Sequence, residues 1–341
     1  MEHVPLKDIA QATGVSVSTV SRVMTHHPGI SEATRSKVLA AAREMRYSPH
    51  GAARSLSTNK SMTVAFLSYR RPVSTQLVTA SSDQSGVLEV LEAAGYSLLI
   101  AGISDDELRK PRELRILRQQ RVDGLILEGP TLSAGFVQEL VNMGMPVVHV
   151  DGLSGVSGLD IVLHENERGA EEITHHLVRS SGRKRIVFIS GPSHWISSAE
   201  RRRGYENAMR AHELEPRVIM FEDTTTDIGV EAARTTFEKY PDADAIVAVN
   251  DAVAIGFIGE ARRLGVNVPH DMAVTGFDDI SWAAHSHPTL TTMRTFPSEM
   301  GRQAATRLLE LLSRPGEKPA PLTIRVGVEL VRRESCGTTD S

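Results

Sequence analysis

Cysteine is almost missing from this chain. Cys336 is the only one in 341 residues, which excludes a disulfide framework, a cysteine-based zinc site and a CxxC redox pair. No run approaches the ~18 consecutive apolar residues of a membrane-spanning helix, and the mean hydropathy is −0.17. The opening Met1-Glu2-His3-Val4-Pro5 leads into a polar helical pattern rather than an apolar signal segment. Secretion by that route is therefore not expected, and the chain is placed in the cytoplasm. Enzyme signatures are also lacking: there is no GxGxxG after a strand, no GxxxxGK, no GxSxG and no HExxH. The pairs His26-His27, His175-His176 and His285-Ser286-His287 make no metal framework. Adjacent helix residues do not face one another, and no third ligand accompanies them. The sequence thus indicates no catalytic residue, no metal and no cofactor.

What is present is an ordinary core-forming composition, 40% hydrophobic and 23% charged, in a chain long enough for two or three domains. The net charge of −4 hides an asymmetry. Residues 1–60 hold eight Lys/Arg against four Asp/Glu, a balance of +4, while the other 281 residues hold 30 against 38, a balance of −8. A small basic head on a larger acidic body suggests that the head meets a polyanion and the body does not.

The first 60 residues read as short helices without a strand. Leu6 to Thr13 forms a first helix, opened by Pro5 and stopped by Gly14. Ser16 to Met24 and Ser31 to Met45 follow, each starting at a capping serine, and then a short helix from His50 to Leu56. The polar stretch Ser57-Thr58-Asn59-Lys60-Ser61 is a linker. From Thr63 short apolar runs alternate with helical periods: Val64–Leu67, Ser97–Ala101, Gly124–Leu127, Val147–Val150, Ile186–Ile189, Ala245–Val249 and Ala273–Phe277. Strands apolar on both faces and separated by helices mean parallel α/β sheets, too many for one sheet, hence two similar lobes.

In the head, Ala10 is small where two helices cross, Gly14 permits a tight turn, and Val20 fills the gap between them; Ile9, Val15 and Val23 complete a small core. The second helix presents Val17, Ser18, Ser21 and Arg22 from its N-terminal end. In a helix-turn-helix that end enters the major groove, where an arginine can pair with guanine N7 and O6. Ser16, Thr19 and the helix-start amides suit phosphates. An ordinary helical hairpin with a polar face has the same Ala-x₃-Gly-x₅-Val spacing; the basic balance and the Ser/Thr-rich face favour DNA.

The motifs Asp8-Ile9-Ala10, Gly14-Val15-Ser16, Thr19-Val20-Ser21-Arg22-Val23, Tyr47-x-Pro49 and Ala53-Arg54-Ser55-Leu56 resemble those of the lactose-repressor (LacI/GalR) family of bacterial transcription regulators. The resemblance continues through Val122-Asp123-Gly124-Leu125-Ile126, Asn250-Asp251, Gly276-Phe277-Asp278-Asp279, Leu290-Thr291-Thr292 and Arg333-Glu334-Ser335, so it covers essentially the whole chain. It implies a helix-turn-helix DNA-binding domain (1–49), a hinge helix and linker (50–61), and an effector-binding, dimerising body (62–341) with the two-lobed α/β fold of periplasmic binding proteins. The near lobe would take about 62–162 and 293–321, the far lobe about 163–291 and 322–336, with three crossings between them.

By the same resemblance Leu56 wedges into a base step through the minor groove, with His50, Ala53 and Arg54 as hinge contacts; His50 stands where the family usually has Asn. Arg201, Asn250 and Asp278 match the groups that hold an effector between the lobes, a constellation suited to a polyhydroxylated ligand. Trp195 and Trp282 lie near that cleft, to stack on a sugar or base or simply to pack. Asp251 is expected to cap its helix and Asp279 to be structural. Arg70 and Arg71 either favour a phosphorylated or carboxylated effector or are surface charge. The implied protein is a non-enzymatic, dimeric, sugar-responsive repressor of a two-fold symmetric operator; a solute-binding protein or an enzyme on the same two lobes is the alternative.

Overall fold

The computed structural model describes residues 4–24, 27–45, 47, 60–69, 80–152, 155–314, 316–317 and 319–337. It divides into two compact units, one of residues up to Thr63 with Ile116–Asp123, the other of Val64–Arg115 with Gly124 onward. The first unit thus takes in a short segment beyond the expected boundary at residue 61. The physical tie is Asp123, whose carboxylate accepts the backbone N–H groups of Ser61 (2.7 Å) and Met62 (2.9 Å).

The first unit contains α1 (Leu6–Thr13), α2 (Val17–Met24) and α3 (Glu32–Glu44). Gly14 ends α1 at φ 66°, the left-handed conformation that glycine adopts without a Cβ penalty. Ser16 caps α2 by accepting the Thr19 N–H at 3.1 Å, and Ser31 caps α3 by accepting that of Thr34 at 3.3 Å. Ile9, Ala10, Val20, Val23, Val38 and Ala42 are buried together, so α3 closes the small core that the helix pair begins.

The second unit holds two six-stranded sheets, β1 (Thr63–Tyr69) supplying its first strand from Val64 onward. The first sheet has the order β11-β5-β4-β3-β1-β2, from β2 (Ser97–Ile103), β3 (Gly124–Glu128), β4 (Val147–Val150), β5 (Asp160–His164) and β11 (Thr323–Val326). The second has the order β12-β10-β9-β8-β6-β7, from β6 (Ile186–Ser190), β7 (Arg217–Met220), β8 (Ala245–Ala248), β9 (Ala273–Asp278), β10 (Thr291–Arg294) and β12 (Glu329–Val331). The central strands β3, β4, β6, β8 and β9 are buried along nearly their whole length, as parallel strands covered on both faces must be. Only β12, against β10, is antiparallel among the described pairings.

The helices of the second unit are α4 (Ala80–Ala93), α5 (Asp105–Arg109), α7 (Ala134–Asn142), α8 (Asn166–Ser181), α9 (Ile196–Ala211), α10 (Thr226–Lys239), α11 (Asp251–Arg263) and α12 (Pro297–Ser313), while α6 (Arg115–Arg118) falls, after its first residue, in the segment that the first unit takes in. The chain crosses between the sheets three times, after β5, after β10 and after β11. Two boundaries differ from those expected. Thr323–Val326 belongs to the first sheet, beside β5, because Asp160 holds its entry: one carboxylate oxygen accepts both the Leu322 N–H (3.0 Å) and Arg307 Nε (2.7 Å). Met293 and Arg294 still belong to the second sheet, in register with Phe277 and Asp278. The far-lobe return therefore starts after Val326, and the near-lobe return after Arg294.

Candidate effector cleft and recognition helix

The C-terminal ends of the strands of both sheets converge on a cavity of about 520 Å³, the position where open α/β sheets bind ligands. Glu128 ends β3, Asp151 follows β4, His164 ends β5, and Asp278 ends β9. Two of these residues have backbones in the sparsely populated positive-φ region, Asp151 at 48° and Asp278 at 117°, as happens where a loop must aim a side chain.

Arg201 reaches the cavity from the first half of α9 and is only 7% exposed. Its Nε donates to Asn166 Oδ1 (2.9 Å), Nη1 to the Val249 carbonyl (2.7 Å) and Nη2 to Asp278 Oδ1 (3.3 Å). The guanidinium also lies 3.7 Å from the centre of the Phe277 ring. Three of five N–H groups are used within the protein, which fixes the fork and leaves two for a ligand. Behind it, Asn166 donates to Glu200 Oε2 (3.3 Å), and Glu200 is clamped by Arg325 at 2.6 and 3.0 Å.

Asn250 lines the cavity and is the cap of α11: its Oδ1 accepts the Val253 N–H (2.9 Å) and its Nδ2 donates to the Thr224 carbonyl (3.0 Å). The expectation that Asp251 caps this helix is therefore corrected. Asp251 is the first helical residue, fully buried, and accepts from Ile280 N–H (2.9 Å) and Thr292 Oγ1 (2.5 Å), joining three segments of the second sheet's rim. Asp279 bridges Arg294 (2.8 Å) and Arg333 (2.6 Å), a structural use.

The cavity is rich in carboxyls. Asp83 on α4, Glu128, Asp151, Asp278 and Asp279 all line it. Burial pushes Asp278 up to about 6, against the pull of Arg201. Glu128 is pushed up to about 7 by burial and by the Asp151 charge. Asp83 and Asp151 are also raised by burial. Burial, with Arg201 beside it, lowers His164 to about 3, so its imidazole is neutral.

Of the residues singled out in the sequence, Arg201, Asn250, Asp278 and Trp195 meet in this cavity. Trp282 does not line it; it sits in the turn Ser281–Ala284 and is 57% exposed. Asp83, Glu128, Asp151 and His164 were missed. The last three end or directly follow buried strands, the same signal that marked Asp278 and Asn250; Asp83, on a helix, gives no such signal. Arg70 and Arg71 lie outside the described residues.

In the head, α2 presents Val17 (47% exposed), Ser18 and Arg22 to the surface, with Thr19 and Ser21 half-buried beside them. The Ser16 hydroxyl lies 2.8 Å from those of both Ser18 and Thr19, which organises the start of the helix. His50, Ala53, Arg54 and Leu56 lie outside the described residues.

Residues 5–50 match the model of the bacterial regulatory proteins, lacI family, and residues 174–336 that of a periplasmic binding protein-like domain. The chain is 31% identical over 345 residues to the HTH-type transcriptional regulator CelR of Thermobifida fusca, covering 97% of each. It is 32% identical over 319 residues to the ribose operon repressor of Escherichia coli K12, covering 91% of this chain and 93% of the relative. Among solved structures, a complex of the regulator CelR with cellobiose superposes with a TM-score of 0.71 at 28% identity, covering 98% of this chain and 100% of that one. A lac repressor dimer bound to operator and an anti-inducer has the same fold, with a TM-score of 0.79 at 24% identity over 98% and 99% of the two chains. Matched from head to body by such relatives, the chain belongs to the lacI family of bacterial regulatory proteins.

Proposed function

We propose that this chain is a ligand-responsive transcription repressor, not an enzyme, that acts in the cytoplasm as a dimer on a two-fold symmetric DNA site. Residues 1–49 read the DNA, 50–61 form the hinge segment, and the body binds the effector and the second subunit. The observation that supports this most is the cavity lined from both sheets. A ligand that fills it touches both lobes, binds one of their relative settings better than another, and so shifts the population. Arg201, Asp278, Asn250 and Trp195 are its proposed contacts. Arg201 donates, Asp278 accepts and Trp195 offers a ring face, which suits a sugar. Relatives named for a ribose operon and for a cellobiose complex agree with that class.

In the head, Arg22 and Ser18 face base edges, Val17 and Ser21 pack in the groove, and Ser16 and Thr19 hold phosphate. The hinge residues His50, Ala53, Arg54 and Leu56 enter the minor groove.

The test is selection of binding sites from random duplexes with the full chain, followed by titration of the selected site with and without sugars. A two-fold symmetric consensus is expected, with binding that weakens as salt rises and that a sugar changes several-fold. Arg201→Met keeps DNA binding and loses the sugar response. Recovery of no preferred sequence would sink the regulator reading.

A further inference from the structure

Among the described residues, one wall of the cleft has carboxylates that no lysine or arginine bridges. Of the five lining carboxylates, Asp278 is paired with Arg201, and Asp279 with Arg294 and Arg333. Asp83, Glu128 and Asp151 are left, and among the described residues none is in a salt bridge with a lysine or arginine. The charges of Glu128 and Asp151 raise the proton affinity of Asp83, that of Asp151 raises Glu128, and the Asp83 and Glu128 carboxyls share a hydrogen bond. Asp151 itself also feels the Arg201 charge and a Ser197 hydrogen bond.

Two further atoms point to a missing partner. Asp83 is 8% exposed, yet its Oδ1 has no hydrogen-bond partner, and His164, 9% exposed, has an unpartnered Nδ1; both line this cavity. A buried polar atom left unpaired is costly, so a group supplied from outside is the natural completion. A metal ion is not that group, because among the described residues no three His, Cys, Asp or Glu side chains are grouped to hold one. Nor does an anion suit the Asp83–Glu128 pair, which offers acceptors and is bridged by no lysine or arginine among the described residues. A neutral hydroxyl would satisfy lone pairs but bring no charge to the Asp83–Glu128 pair, which burial and repulsion hold towards the protonated form. An ammonium does both: it has three donors and one positive charge.

We propose that the effector is an amino sugar whose protonated amine sits against Asp83 and Glu128, with Asp151 contributing its field, while Arg201 and Asp278 hold the hydroxyl-bearing part. This rests on the cavity being the effector site, and narrows the sugar to a cationic one. The volume of about 520 Å³ admits a mono- or disaccharide.

The experiment is thermal stabilisation and calorimetric titration of the full chain at pH 7.5 with matched sets. These are glucosamine, galactosamine and mannosamine against their parent hexoses and N-acetyl derivatives, and the glucosamine disaccharide against cellobiose and diacetylchitobiose. At least one amine is expected to bind tenfold or more tightly than both its hydroxyl and its N-acetyl partner. Asp83→Asn combined with Glu128→Gln, isosteric changes, is expected to erase that preference while the free protein still melts cooperatively. If a neutral sugar binds as well as its amine, the amine assignment is overturned and the sugar cleft stands. If no amine in the panel binds, the assignment is overturned, and site selection on DNA separately decides the regulator reading. If the double variant retains the tenfold preference, the amine is recognised elsewhere and the assignment to Asp83 and Glu128 is wrong.

Discussion

Glu128 makes the cleft's electrostatics measurable. Its carboxyl is raised from 4.5 to about 7 by burial and the Asp151 charge, so between those pH values the folded state holds a proton that the unfolded chain has released. Stability contributed by this group therefore falls as pH rises from about 4.5 to 7 and levels off above. Glu128→Gln removes that loss, and it also eases Asp83, which responds in the same direction. The neutral imidazoles of His149 and His164 oppose this trend, but they are present in both proteins and largely cancel in the difference. The expected outcome is a melting-temperature difference, variant minus wild type, that grows from pH 5 to pH 8. A difference that stays flat over that range would mean an ordinary carboxylate.

At the scale of elements, the helix pairs that cover the sheets approach through glycine. A Cβ at Gly204 of α9 would lie 2.0 Å from the Glu167 carbonyl oxygen of α8, and one at Gly256 of α11 2.0 Å from that of Thr226 on α10. Gly301 of α12 meets the Asp83 carbonyl of α4 at the same 2.0 Å, so the packing of these two helices also sets where Asp83 stands in the cleft. Helix α11 provides its own control, because nothing lies within 4 Å of a Cβ at Gly259. Gly256→Ala is expected to cost roughly 3 kcal/mol, since backbone must move. Gly259→Ala should instead stabilise by about 0.5–1 kcal/mol through helix propensity. Urea unfolding of the two variants checks the pair, and equal effects would contradict the close helix approach.

The whole molecule divides its charge by task, with +4 over the first 60 residues and −8 over the remainder. An acidic body discourages nonspecific contact with DNA while the basic head seeks it. Binding to the selected site should therefore weaken steeply with salt, by close to one power of concentration per phosphate contact. Arg22→Ala is expected to cost about 1–3 kcal/mol on the specific site. It should weaken random DNA far less, because hydrogen bonds to a particular base can form only where that base is present. Equal losses on both would show that Arg22 serves phosphate alone. The same division of labour explains why the head could be identified so early: its task is written in charge and in residues that adjoin along the chain.

Local rules were enough for much of the architecture. Ser16 and Ser31 as caps, Gly14 as a stop, and Val64–Leu67, Gly124–Leu127 and Ile186–Ile189 as strands depend only on neighbours in sequence, so composition and spacing determined them. Five strands escaped notice. β7, β11 and β12 are short and sit at sheet edges, where one side meets solvent and no continuous apolar run is needed. β5 and β10 lie inside their sheets, but their runs, Asp160–His164 and Thr291–Arg294, carry polar residues that break the apolar pattern. Which lobe Thr323–Val326 joins was settled by Asp160, more than 160 residues away, through a hydrogen bond to Leu322. The site divides the same way. Arg201, Asn250 and Asp278 were legible because each belongs to a recognisable local motif. The acid wall was not: Asp83 comes from a helix, Glu128 from the end of β3 and Asp151 from the loop after β4, and a place at a strand end does not by itself show which acids share a space. Sequence by itself determined a DNA-reading head, a two-lobed body and the cationic side of the cleft. Only the tertiary structure decided that three carboxylates, none bridged to a lysine or arginine among the described residues, face the same space, because charge interactions between distant segments depend on separation and burial, and neither exists until the chain is folded.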